Sequence, residues 1–241
     1  MAEFQTGVVR PIDCMKEGWE LIKDQYWLIL GITTVGMLIG SFIPFGIGIG
    51  AMFCGIYYVL LRKMNGQPFE FADLFKGFNY FVPGLIISLV VVIPTLISVF
   101  VIYGSVAAFI LTAVNSNGTF NEAVIYGMFA TLFIEAVVIA LITSSLHALI
   151  MFAYPLVVDR NLNGIEAFKL SVKAVWANLS GVVGVILVEF VMGLIAAFIP
   201  IVGVYLVLPI MFAGVLVSYR RVFPSQQTSN QPPSPVYYQG I

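Results

Sequence analysis

Residues 26–63 read YWLILGITTVGMLIGSFIPFGIGIGAMFCGIYYVLLRK, with no charged side chain between Asp24 and Arg62. A helix needs about 20 mostly apolar residues to cross a hydrocarbon core of about 30 Å, and this stretch holds two such lengths, both on the short side. Pro44 and the glycines at 46, 48 and 50 lie between them. A proline without an N–H and residues without a Cβ end a helix, so the stretch predicts a tight hairpin of two spans.

The same texture runs through most of the chain. Of the 241 residues, 60% are hydrophobic and only 10% charged, against roughly 25% charged in an ordinary soluble domain. Uncharged stretches at 82–115, 123–134, 136–158, 179–188 and 190–219 supply further crossings. They predict an all-α polytopic membrane helix bundle, a single integral membrane domain over residues 1–223 with about six transmembrane helices in three hairpins. The middle segments are long: 82–114 is interrupted by Pro94, and 122–158 changes texture at Thr143-Ser144-Ser145 and His147. As one straight helix the second would reach roughly 55 Å, so it must tilt, kink or project from the membrane; splitting both segments gives an eight-span alternative.

Each hairpin is preceded by an amphipathic stretch. Ile12, Met15, Trp19, Ile22 and Tyr26 step by three and four, with Asp13, Lys16, Glu17, Glu20 and Lys23 between them, which predicts a helix lying in the membrane interface. Ile165, Phe168, Val172, Val175 and Leu179 repeat that set 153 residues later at all five positions. Ile199-Pro200 then repeats the Ile43-Pro44 break, and Arg220-Arg221 the basic pair Arg62-Lys63. Phe71, Leu74, Phe78 and Phe81 make a weaker third set around Asp73 and Lys76. Three repeat-like units follow, 10–63, 68–158 and 163–221, all starting on one side rather than inverted. Helix breaks are expected at Pro44, Pro94 and Pro200.

All eleven lysines and arginines fall on one side of this plan, and by the positive-inside rule that side is cytoplasmic. The expected location is the plasma (cytoplasmic) membrane, multi-pass, with both termini cytoplasmic. The first 26 residues carry Asp13, Glu17, Glu20 and Asp24 and do not read as a cleavable signal peptide. Residues 224–241 are rich in Pro, Ser and Gln and read as a disordered tail. The sequon Asn117-Gly118-Thr119 is a pattern that arises by chance.

Several function classes are disfavoured. A net charge of −1 without a basic stripe offers nothing to nucleic acid. Cys14 and Cys54 have neither CxxC spacing nor histidine companions, so no metal site is expected. No nucleophile triad, phosphate loop or zinc-protease motif is present, and neither a cofactor nor an enzymatic activity is expected.

Three ionisable side chains remain inside the spans: Glu135, His147 and Glu189. A charge at mid-bilayer costs on the order of 3 kcal/mol, so each should face protein or water, or be neutral. One reading is a proton- or ion-coupled path through the two glutamates; the other is a pair of hydrogen-bonded structural groups. His147 lies 12 positions from Glu135, roughly 18 Å along a helix, too far to share one ion. Gly36 and Gly40 form a GxxxG read as packing within the monomer.

Pro155-Leu156-Val157-Val158-Asp159-Arg160, with Gly164-Ile165-Glu166-Ala167-Phe168-Lys169 after it, resembles a broad group of uncharacterised bacterial membrane proteins. Asp73-Leu74-Phe75-Lys76-Gly77-Phe78 and Tyr219-Arg220-Arg221 also suit that group. Its members are described as domains of unknown function or as the membrane domain attached to some glycerophosphodiester phosphodiesterases. The resemblance implies a six-helix bundle with cytoplasmic amphipathic helices and no settled activity; no phosphodiesterase domain is present, so that activity is not carried over. Asp159 is expected to cap the following helix or to pair with Arg160 or Lys169. The functional expectation is a non-enzymatic membrane scaffold or lipid- or partner-binding bundle, with the bilayer and other membrane proteins as partners. A small proton- or ion-coupled transporter or channel using Glu135 and Glu189 is the alternative.

Overall fold

The computed structural model describes residues 4–42, 47–115, 122–200 and 202–225, and among these the regular secondary structure is entirely helical. Nine α-helices follow in order among the described residues: α1 (Pro11–Ile22), α2 (Tyr26–Phe42), α3 (Ile49–Met64), α4 (Phe81–Asn115), α5 (Glu122–Ile150), α6 (Ala153–Arg160), α7 (Gly164–Ala177), α8 (Leu179–Ala196) and α9 (Val202–Val222). A 3₁₀ helix covers Phe71–Tyr80. Five stretches are long and apolar enough to cross a membrane: Pro11–Phe42, Phe71–Thr112, Glu122–Arg160, Leu179–Ala196 and Val202–Val222. α3 is similar in character but has 16 residues.

Two of the amphipathic segments, α1 and the 3₁₀ helix, pack lengthwise on other helices. α1 runs along α9: Glu17 pairs with Arg221 at 2.7 Å, Gly18 lies on Gly214, and the Tyr26 hydroxyl donates to the Leu206 carbonyl at 2.6 Å. The 3₁₀ helix runs along α3 in the same manner, from Asp73 beside Arg62 to Gly77 against Ala51 and Gly55. Small residues make this possible. A Cβ on Gly18 would fall 2.6 Å from the Gly214 nitrogen, and one on Gly55 would fall 2.0 Å from the Leu74 carbonyl oxygen. Large apolar side chains of the same segments, Ile12, Trp19, Phe71, Phe75 and Ile165, point outward. Each apolar stripe is therefore split: Met15, Ile22, Leu74 and Val175 turn inward beside the packed glycines and Ser171, while the large side chains just named stay exposed.

The proline expectations divide. Pro200 lies in the turn between α8 and α9, Pro44 falls outside the described residues, and Pro94 does not break its helix, because α4 continues through it. Hydroxyls of Thr95 and Ser98 donate to the carbonyls four residues back, Val91 and Pro94, as serines do elsewhere in these helices. The segment expected to change character at Thr143–His147 stays helical there and turns instead at Met151-Phe152. Ser171 of α7 secures that turn by donating to the Leu149 carbonyl at 2.7 Å and accepting from the Phe152 N–H at 3.2 Å. Asp159 neither caps α7, whose N-cap is Asn163, nor pairs with Arg160 or Lys169. It accepts from the Tyr219 hydroxyl at 2.6 Å and from Arg220 at 3.1 and 3.2 Å, tying α6 to α9. The sequon and residues 226–241 of the tail lie outside the described residues.

The starts of α1 and α7, of α2 and α8, and of α3 and α9 are each 153 residues apart. Burial is concentrated where α1, α3, α6, α7 and α9 meet, around Met52, Leu60, Phe152, Leu156 and Tyr219. Gly36 rests on Ile56 and Leu74, and Gly40 on Ile49. Beyond Ser88 in α4 and before Ile150 in α5, no described residue is buried.

Candidate functional site

The turn at Met151-Phe152 brings His147, near the end of α5, and Tyr154, at the start of α6, to one space. There they join Glu189 of α8 and Tyr57 of α3 around a cavity of about 270 Å³. The remaining walls are apolar, with Met37 of α2, Phe53 of α3, and Leu208, Met211 and Phe212 of α9. Phe53 holds Tyr154 and Phe212 edge-on at centroid distances of 5.1 and 5.4 Å, and Phe212 meets Tyr57 at 5.6 Å. Such edge-to-face contacts favour these ring positions. Tyr57 and Tyr154 are buried, Glu189 is half-buried and His147 exposed. His147 is thus the most accessible polar group on the lining, and α5 and α8 touch only lightly.

Glu189 is the eleventh of the 18 residues of α8, near the middle of that helix. The cavity thus offers an apolar chamber with one carboxyl, one imidazole and two phenols. Its volume sits at the lower edge of small-molecule pockets, roughly 300–1,000 Å³.

Glu135 stands elsewhere. It lies in the seam between α4 and α5, where one carboxyl oxygen accepts from the Ser105 hydroxyl and the other is buried without a hydrogen-bond partner. The two glutamates are therefore separated, and the grouping that forms is Glu189 with His147. Tyr57 and Tyr154 were not singled out from the sequence. Their signal was a phenol inside an otherwise apolar segment, a weak one in a chain with eleven tyrosines. Among the described residues, no group of three or more His, Cys, Asp or Glu side chains could hold a metal ion.

No protein-family model matches the chain, and neither a curated protein nor a solved structure matches it.

Proposed function

We propose that this chain is a non-enzymatic, six-span bundle of the cytoplasmic membrane that takes a neutral lipid sideways from the bilayer into the cavity at Glu189. The carrying observation is the cavity, apolar on nearly every wall, with the exposed His147 of α5 on its lining. A charged headgroup in such a chamber would be costly. A small uncharged head able to hydrogen-bond with a carboxyl, an imidazole or a phenol fits, with its acyl chain along Met37, Met211 and Phe212. Native mass spectrometry of protein extracted from its own membrane tests this. The wild type should retain one neutral lipid per chain, and Met211→Trp, which fills the chamber, should lose it while keeping its unfolding temperature. Equal retention in both would sink the reading.

The topology belongs to the same proposal. The six spans are α2, α3, α4, α5 with α6, α8 and α9. Both termini are cytoplasmic on the distribution of basic residues, and the common 153-residue offset of three helix starts supports repeated units. This plan suits the uncharacterised bacterial group that the sequence resembles. Reporter fusions after Arg62, Arg160 and Arg221 should all read cytoplasmic.

One observation favours a second reading, a proton-coupled carrier: Glu189 and His147 face the same chamber. In sealed liposomes, such a carrier would dissipate an imposed pH gradient with the wild type and not with Glu189→Gln. Equal leak rates would remove it.

A further inference from the structure

The α4–α5 hairpin outreaches the rest of the molecule. Its level is fixed by the cavity, where His147 of α5 and Glu189 of α8 meet. From Glu189, α8 continues seven residues to Ala196, roughly 10 Å. From His147, α5 runs back 25 residues to Glu122, roughly 38 Å. The hairpin therefore passes the α8–α9 turn by more than 20 Å if the helices run parallel, and by about 17 Å at a mutual tilt of 45°. That reach is not built for water: from Phe81 to Asn115 there is no charged residue, and from Glu122 to Ile150 the acids are Glu122 and Glu135. Nor is it covered by the chain, since no described residue there is buried.

One face of this hairpin carries four small residues, two on each helix. The Ser105–Glu135 hydrogen bond marks the seam. At 100° per residue, Gly104 and Ala108 lie to one side of it on α4. Because the helices are antiparallel, Gly127 and Ala130 of α5 fall to that same side. A Cβ on Gly104 or Gly127 would meet nothing within 4 Å, so the face is open; the exposed side chains of Leu111 and Ile134, seven residues on from each glycine, stand on it too and alternate with the small positions.

We propose that this face binds the same face of a second copy, so that two hairpins form a four-helix bundle about a twofold axis along the membrane normal. A second copy is the occupant that presents an uncharged face of matching height and shape. Lipid tails cannot supply cover beyond the hydrocarbon core, which is about 30 Å thick. A twofold axis makes a single face self-complementary, and small residues let helices approach closely. The face is roughly 25 Å long and two helices, about 20 Å, wide. That footprint of about 500 Å² approaches the roughly 800 Å² per partner of a specific interface. The symmetry sets α4 of one copy against α5 of the other.

The test is energy transfer between labelled chains diluted in liposomes, together with thermal unfolding. The wild type should be dimeric. Gly104→Leu and Gly127→Leu fill space that is empty in the single chain, so each should weaken association more than tenfold and leave the unfolding temperature unchanged. Gly193→Leu, also in open space but on α8, should associate like the wild type. As an independent measurement, Ala108→Cys chains mixed with Ala130→Cys chains should form a mixed disulfide dimer on mild oxidation. Wild-type chains, whose Cys14 and Cys54 are buried, should not. A monomeric wild type, as lipid cover or a different protein partner would give, overturns the proposal. So do dimers indifferent to Gly104→Leu and Gly127→Leu, dimers lost equally in Gly193→Leu, or the absence of the mixed disulfide.

Discussion

Gly55→Ala puts the lengthwise packing of the 3₁₀ helix on α3 to a sharp test. The added Cβ would stand 2.0 Å from the Leu74 carbonyl oxygen, and ordinary contact begins at 3.4 Å, so one element must withdraw by about 1.4 Å. The obstacle is backbone and cannot swing aside. Leu74 is fully buried, and beside it Asp73 holds Lys76 at 2.7 Å and Arg62 at 3.8 Å, so the shift disturbs both. Overpacking costs about 1–3 kcal/mol and partial loss of Leu74 burial adds to it, for a total of about 3–5 kcal/mol. In a chain of this size that lowers the unfolding temperature by roughly 6–20 °C, readable by near-ultraviolet circular dichroism in mild detergent. Gly77→Ala, facing the Ala51 carbonyl at 2.1 Å, should behave alike, whereas Gly193→Ala, in open space, should melt with the wild type or slightly above. Wild-type melting of both Gly55→Ala and Gly77→Ala would refute the close approach on which this part of the fold rests.

Other outcomes follow from single contacts. Ser171→Ala leaves the Phe152 N–H and the Leu149 carbonyl of the α5–α6 turn without their partner, and should cost about 1–3 kcal/mol by the same melt. Asp159→Ala removes the acceptor shared by Tyr219 and Arg220, with a loss of about 1–3 kcal/mol expected; Asp159→Asn should recover part of it by still accepting from Tyr219. Cys14 and Cys54 are both buried, so a maleimide should label the native protein slowly and both thiols at once after unfolding. Glu135→Gln keeps an acceptor for Ser105 and should leave lipid retention at the cavity unchanged.

The helical class was legible from the length of the uncharged runs, because the need for every backbone group to be satisfied inside lipid leaves few other spanning structures. Helix starts were readable too, as the shared offset between the first and last units shows. What spacing could not reveal was which members of each apolar stripe are buried. Met15, Ile22 and Leu74 turn inward and Ile12, Trp19 and Phe71 stay exposed, because Gly18, Gly77 and Ser171 permit close approach along one edge of the stripe. Pro94 misled because a proline removes a single backbone bond, here to the Val90 carbonyl, and the 35-residue α4 continues through it. Glu189 and His147 were visible as isolated polar residues, but their grouping needed the turn at Met151-Phe152, which has no local glycine and whose proline, Pro155, lies three residues on.

Photo-crosslinking with a diazirine-bearing diacylglycerol in reconstituted membranes, mapped by peptide mass spectrometry, tests the central claim most directly. A lipid held in the chamber predicts adducts on the peptides carrying Met37, Phe53 and Met211, lost in Met211→Trp. Adducts confined to the outer faces of α4, α5 and α8, and indifferent to that substitution, would contradict it.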